Sequence, residues 1–369
     1  MRGATRWLVN GLVLIATVVV TLAAIEVGLR YVYPQPMGVW HQDRDGLALH
    51  WPGLVTYLPQ FGLSVSFNSA GMRDGEHAVA KADGVFRVLV LGDSFMEALQ
   101  VPFEESFPSQ LQRELGQASG RRIEVINASV SGWGTDDELK YLRSYGRRWK
   151  PDLVVVGVTL YNDVSDNLRE RFHTMRNGAL VDRPDTRATP LEYKLTELKG
   201  FLATHFHIYQ VLIRARRARE TRVEAQQLRS HIGGLFGDGT GEPMTRGLEL
   251  TRLMLERIQT IAAEDGGRVA VVLIPIRAQL SDSLFAEFVR IREASTAGPE
   301  LDLPQRHIKR LTQRSGMAVV DLLPGFREWT ARGGDSLYLV QDGHWDRAGH
   351  RLAARIASAE LVRAGLVRP

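Results

Sequence analysis

An α/β fold is predicted, with a parallel five-stranded sheet covered by helices on both faces. Three observations predict it. Apolar runs of strand length recur at Val88–Leu91, Ile123–Ile126, Leu153–Val158, Val269–Ile274 and Ala318–Leu322. Amphipathic helical patterns separate them, and polar residues crowd just past several of the runs. Such runs read as strands buried on both faces, and the intervening helices as crossovers that return the chain to a parallel neighbour. The expected architecture is a three-layer α/β/α sandwich in flavodoxin-like strand order, with an N-terminal transmembrane helix and a helical insertion.

The strand over Val88–Leu91 ends in Gly92-Asp93-Ser94-Phe95. Gly92 and Asp93 supply turn chemistry, so Ser94 falls at the carboxyl edge of the sheet, where open α/β sheets bind ligands. Ser94 there is either a nucleophile or, with Asp93, a cap of the next helix, whose apolar positions resume at Phe107, Leu111 and Leu115. The second strand runs into the small-residue loop 127–135, where Gly132 is free either to turn the chain or to show its backbone N–H to a ligand. A helix bearing Leu139, Tyr141 and Leu142 follows. After the third strand comes Tyr161-Asn162-Asp163, with Asn162 a turn residue or a side-chain donor to developing negative charge. An amphipathic helix over Leu248–Ala263 precedes the fourth strand. Past the fifth strand, Gln341-Asp342-Gly343-His344-Trp345-Asp346 opens the last helix around Leu352–Val362.

Composition bounds the rest. The chain has 369 residues, 44% hydrophobic and 24% charged, which suits one large core or a core with a smaller insert. The net charge is +4, concentrated in the Arg214–Arg222 run, and no nucleic-acid motif accompanies it, so no nucleic-acid partner is expected. Cysteine is absent, which excludes disulfides, a thiolate nucleophile and cysteine-ligated zinc. His205 and His207 lack a ligand set, so neither a metal nor a cofactor is expected.

Trp7 to Leu29 carries one acid, Glu26, and no Lys or Arg. About 20 apolar residues cross a hydrocarbon core, and Arg2 and Arg6 before the stretch place its start on the cytoplasmic side. Tyr31 and Tyr33 suit the exit interface. A cleaved signal peptide is the alternative, although its apolar region is ordinarily shorter. The expected organisation is a membrane anchor over residues 1–33, an N-terminal arm over 34–85, and a catalytic domain over 86–369 interrupted by a helical insertion at 166–265. The expected location is the inner (cytoplasmic) membrane, crossed once, with that domain in the periplasm. Within the arm, Asn68-Ser69-Ala70-Gly71-Met72-Arg73-Asp74 reads as a turn in which Gly71 takes positive φ and Arg73 reaches an acid or carbonyl. Leu191, Leu195 and Leu198 share one helix face in the insertion, and Phe206, Tyr209, Leu212 and Ile213 begin another helix. Its role is open among lid, partner surface and membrane contact. The glycines at 233, 234, 237, 239 and 241 lack phosphate-loop spacing and receive no nucleotide role.

Four blocks in order, GDSF at Ser94, the Gly132 loop, YND at Asn162 and DGHW at His344, together resemble the SGNH (GDSL-like) hydrolase superfamily. The resemblance covers residues 86–165 and 265–365, and the arm motif NSAGMRD is similar to one in membrane-anchored bacterial members. It implies Ser94 as nucleophile, His344 as general base and Asp342 as its orienting acid, with Ser94, Gly132 and Asn162 forming the oxyanion hole. Two residues apart in an extended segment, Asp342 and His344 would face one side. Many members place two residues between acid and histidine; here Gly343 alone intervenes, closer to the polysaccharide O-acetyltransferase relatives. Asp335 and Asp346 are the rival acids, Asp346 better placed to cap the last helix, and His350 reads as a packed helical residue.

The resemblance implies ester chemistry through an acyl-serine, and the expected outward-facing location points to O-deacetylation of an envelope or secreted glycan. O-acetyl transfer to the same glycan class, a lipase or lysophospholipase acting on a lipid ester, and a non-catalytic glycan-binding component of envelope polysaccharide machinery are the alternatives. Trp40, Trp51, Trp133 and Trp345 offer either stacking faces for sugar rings or core packing.

Overall fold

The computed structural model describes residues 2–183, 187–216, 235–236, 242–292 and 300–368. The central sheet has five strands, β1 (Val85–Leu91), β2 (Arg122–Asn127), β3 (Leu153–Thr159), β4 (Arg268–Ile274) and β5 (Ala318–Asp321). Their order across the sheet is β5-β4-β3-β1-β2 and every pairing is parallel, the flavodoxin-like arrangement expected. β3 is buried along its whole length, as its unbroken apolar sequence requires of a strand covered on both faces. All five strand carboxyl ends point the same way, so the residues following β1, β2 and β3 share one edge.

The helices are α1 (Arg2–Val32), α2 (Ser94–Glu97), α3 (Phe107–Ser119), α4 (Thr135–Ser144), α5 (Asp163–Asp166), α6 (Pro190–His205), α7 (Glu242–Glu264), α8 (Asp282–Arg292), α9 (Leu303–Gln313), α10 (Leu323–Ala331) and α11 (Arg347–Arg363). Two cores result. One lies between the sheet and α4, α7 and α9, built on residues such as Leu89, Val156, Leu139, Met254 and Ile308. The other lies between the opposite face and α3, α10 and α11, with Val88, Val90, Leu111, Phe326 and Ala357. Trp133 and Trp345 are fully buried, so both belong to the packing rather than to a sugar-binding face. Trp40 alone of the four is counted among the exposed apolar residues, at 37% exposure.

The arm folds into two antiparallel hairpins, Trp40–Gln42 with Ala48–His50 and Val55–Leu58 with Leu63–Ser66. Gly71 has φ +71°, and a Cβ there would come within 2.6 Å of the His50 carbonyl oxygen. Arg73 is buried and donates to the carbonyls of Glu97, Ala98 and Val101, while Asp74 accepts from the Asn127 N–H at 2.7 Å. The arm motif therefore braces the backbone after Ser94 and the end of β2. A third hairpin, His173–Arg176 with Ala179–Asp182, precedes α6. α1 is long and apolar enough to cross a membrane over Thr5–Val32. The glycine-rich loop lies outside the described residues apart from Leu235 and Phe236 near it, as do residues 217–222 of the basic run.

Candidate active site

Ser94 is the first residue of α2, a single turn at the carboxyl end of β1. Asp93 caps it, its carboxylate accepting the Phe95 N–H at 3.0 Å. The Met96 and Glu97 N–H groups turn back to the Asp93 carbonyl at 3.2 and 2.9 Å, so Asp93 takes up the N–H groups of the turn that follow Ser94. The turn fits closely on the sheet because Gly157 lies below it. A Cβ at that glycine would come within 2.5 Å of the Met96 side chain.

His344 arrives from the far end of the chain. Tyr338 and Trp345 form an isolated antiparallel bridge, the Leu339 N–H donates to the His344 carbonyl at 2.8 Å, and the Gly343 N–H donates to the Leu339 carbonyl at 2.7 Å. Gly343 has φ +82°, so Asp342 and His344 meet across a tight turn and not along the extended segment expected. Behind the turn, the Trp345 ring anchors the loop in the core, and the Phe95 ring packs 4.8 Å from the His344 ring.

The Ser94 hydroxyl donates to His344 Nε2 at 2.6 Å, and His344 Nδ1–H donates to Asp342 Oδ2 at 2.7 Å. This is the geometry in which an imidazole takes a serine proton while a carboxylate holds its tautomer. Burial disfavours the charged imidazole, but the hydrogen bond and charge of Asp342, with Asp93 and Glu97 beyond, outweigh it and hold the His344 pKa above the ordinary value. Asp346 instead accepts the Gly349 N–H at 2.9 Å as the cap of α11. The Asp335 carbonyl accepts from the Trp329 indole N–H. His350 is buried, accepts the Phe107 N–H at 3.2 Å, and is pushed down to about 3 by burial and by the Arg73 and His344 charges.

Gly132 is exposed with φ +81°, a left-handed conformation costly for any residue with a Cβ, and no atom lies within 4 Å of where that Cβ would be. Asn162 follows β3 and opens α5. Its amide nitrogen lies 3.3 Å from Asp93 Oδ2, 3.2 Å from Asp163 Oδ1 and 3.4 Å from Asp166 Oδ2. Acids rather than neighbouring main chain therefore hold the side chain.

Two groups of residues here had no signal in the spacing. Glu97, fully buried at the end of α2, accepts from His50 Nε2 at 2.5 Å and from the Ser131 N–H at 2.8 Å, and it also accepts from the Ser131 hydroxyl. His50 comes from the arm, stacks on Phe67 at 4.2 Å, and has Nδ1 3.1 Å from the Gly71 carbonyl oxygen. Beneath the site lie further buried acids, Asp93, Glu138 and Asp163. Burial raises all three above the usual carboxylate range, and the mutual repulsion of neighbouring acids raises Glu138 and Asp163 further. Asp163 Oδ2 accepts the Thr159 N–H at 2.8 Å, whereas neither carboxylate oxygen of Glu138 has a hydrogen-bond partner. Among the described residues no group of His, Cys, Asp and Glu is arranged to hold a metal ion.

A doubly wound sheet carrying a serine, histidine and carboxylate in line at its carboxyl edge is the arrangement of an α/β serine hydrolase. In fold, block order and site geometry the chain resembles the SGNH (GDSL-like) hydrolases. No family model matches it. It is 40% identical over 70 residues to an arylesterase of Vibrio mimicus, a match covering 19% of this chain and 34% of that protein. The match thus spans about a third of the relative's length. Among solved structures, TesA is similar at a TM-score of 0.39 and 16% identity, covering 74% of this chain and 97% of that one. Axe2, an acetylxylan esterase from Geobacillus stearothermophilus, is similar at a TM-score of 0.40 and 13% identity, covering 75% and 94%.

Proposed function

We propose that the protein is a serine esterase working through an acyl-serine intermediate, most specifically an O-deacetylase of an envelope or secreted glycan. One observation carries the ester chemistry, the unbroken Ser94–His344–Asp342 hydrogen-bond line at 2.6 and 2.7 Å. Ser94 Oγ attacks the ester carbonyl as His344 Nε2 takes its proton. Asp342 keeps the second imidazole proton on Nδ1 and stabilises the imidazolium. The Ser94 and Gly132 N–H groups and the Asn162 amide serve the oxyanion, each typically worth about 10²- to 10³-fold in turnover. Collapse of the tetrahedral intermediate breaks the ester C–O bond, and His344 returns its proton to the departing alcohol. Water then releases the acyl group by the same route in reverse; a glycan hydroxyl in place of water would make the protein a transferase.

The glycan reading is supported by α1. An apolar helix of this length fits a membrane anchor, and the positive residues before it fit an N-terminus in the cytoplasm with the catalytic domain outside. An enzyme so placed meets acylated polysaccharide. Acetyl esters should therefore outpace butyryl and longer esters with the purified protein, and envelope glycan from cells lacking it should carry more ester-linked acetyl. Faster cleavage of long acyl chains would favour the lipase alternative. Loss of glycan acetyl in its absence would favour the transferase.

A further inference from the structure

α6 presents its apolar side to solvent and its small, polar side to the protein. Leu191, Leu195 and Leu198 lie along one stripe and are 68%, 47% and 52% exposed. Gly200 is nine residues from Leu191, two and a half turns away and so on the opposite face. There it sits against Trp51 and the Trp40 carbonyl, and a Cβ would meet them at 3.3 and 3.6 Å. Thr204 is buried beside it, and the Ala203 carbonyl accepts the Gly38 N–H at 3.0 Å. A surface helix ordinarily shows the reverse pattern, and a contiguous apolar patch marks a contact site.

The joint between α6 and the helical residues from His207 is fastened to the end of α1. Glu26 accepts the N–H groups of His207 and Ile208, both at 3.0 Å, and Arg30 donates to the His205 carbonyl at 2.9 Å and to Glu26 at 2.9 Å. Gln35 N–H also donates to His207 Nδ1 at 2.9 Å. Glu26 is six residues from the end of α1 at Val32, which places the joint within about 9 Å of the helix terminus along its axis. Past the joint, Leu212 is 61% exposed. Lys194 and Lys199 are exposed and flank the leucine stripe, where long basic side chains can rest their stems on apolar surface and reach anionic headgroups.

We infer that α6 and the helical segment His207–Arg216 form a platform lying in the outer headgroup interface of the bilayer that α1 crosses, with anionic phospholipid as its partner. The occupant is assigned by continuity with the membrane-crossing helix, by the outward leucines and by the flanking lysines. The inference rests on α1 being a span, and the test separates the two.

The absence of cysteine permits single-cysteine labelling of the full chain. Variants Leu195→Cys, Leu212→Cys, Ile15→Cys and Arg332→Cys are labelled with an environment-sensitive fluorophore. They are reconstituted in phosphatidylcholine–phosphatidylglycerol vesicles containing shallow or deep doxyl-labelled lipid. The labels at 195 and 212 should be blue-shifted and quenched by shallow doxyl at least about twofold more than the label at 332, while the label at 15 responds to deep doxyl. Labels at 195 and 212 that match 332 while 15 is quenched would overturn the platform and leave the span intact. A blue shift without doxyl quenching would also overturn it, assigning the face to protein. An unquenched label at 15 would overturn the span and the platform together.

Discussion

Glu97 and Ser131 are joined twice, through the serine N–H at 2.8 Å and through its hydroxyl, so the last residue of the helix that Ser94 opens holds the residue before Gly132. The same carboxylate is held from behind by His50. If Gly132 donates to the oxyanion, Glu97 fixes where that donor stands relative to Ser94. Glu97→Ala should lower kcat about 10- to 100-fold with KM changed far less, because a displaced donor weakens the transition state more than the ground state. Steady-state kinetics on an activated acetyl ester read the split, and a rise confined to KM would contradict the assignment.

Gly132→Ala tests the donor itself. A Cβ there meets no neighbour, so the cost is the positive φ, about 1–2 kcal/mol. Alanine keeps the N–H, so the variant should remain folded by circular dichroism and lose turnover, by up to about 10²-fold, only as its backbone leaves positive φ and turns the donor away. Full activity with the backbone shown by a crystal structure to have left positive φ would remove Gly132 from the hole.

Asp342→Asn should move the pH profile as well as the rate. His344 acts as a base only when neutral, and Asp342 holds its pKa above about 6.5, so wild-type activity rises with pH through a midpoint above that value. Without the carboxylate the midpoint should shift to lower pH while the plateau falls by about 10²- to 10⁴-fold. The same pairing stabilises the fold below the unfolded histidine pKa and ceases to do so as pH rises through the folded one. An unshifted acid limb in rates measured between pH 5 and 9 would indicate that another acid orients His344.

Glu138→Gln should stabilise the protein, increasingly so at higher pH. The folded pKa of Glu138 is raised, so folding requires a proton that the unfolded chain gives up above its ordinary glutamate value. The penalty grows as pH rises toward the folded pKa, and an amide escapes it. The melting temperature should increase by about 2 °C or more at pH 8 and little at pH 5. A decrease at pH 8 would show that the ionised carboxylate is held by a partner.

The sheet was legible because fully buried strands carry unbroken apolar runs, and its parallel pairing followed from helices alternating with them; the flavodoxin-like order was one of the doubly wound orders that alternation allows. Ser94 and Asn162 stood out because a polar residue just past a strand turns, caps or reacts; His344 lies 23 positions past β5 and was picked out only by the resemblance of its DGHW block. The arm hairpins were not legible, because strands of three or four residues such as Val55–Leu58 show too little alternation to register as a period. His50 and Glu97 escaped for a different reason. They meet across 47 positions, and only packing of the arm against the turn after Ser94 brings them together. Glu138 was hidden by its setting, since an acid in the first turn of a helix ordinarily reads as a favourable helix charge.

The central claim is that Ser94 attacks an ester, and hydrolysis of an activated acetyl ester by the full-length protein and its Ser94→Ala variant tests it most directly. The variant should fold normally, lose turnover by about 10⁴-fold or more, and form no acetyl adduct by mass spectrometry, whereas the wild type is trapped with acetyl on Ser94. Equal rates in the two proteins, or an acetyl group found on another residue, would contradict the account.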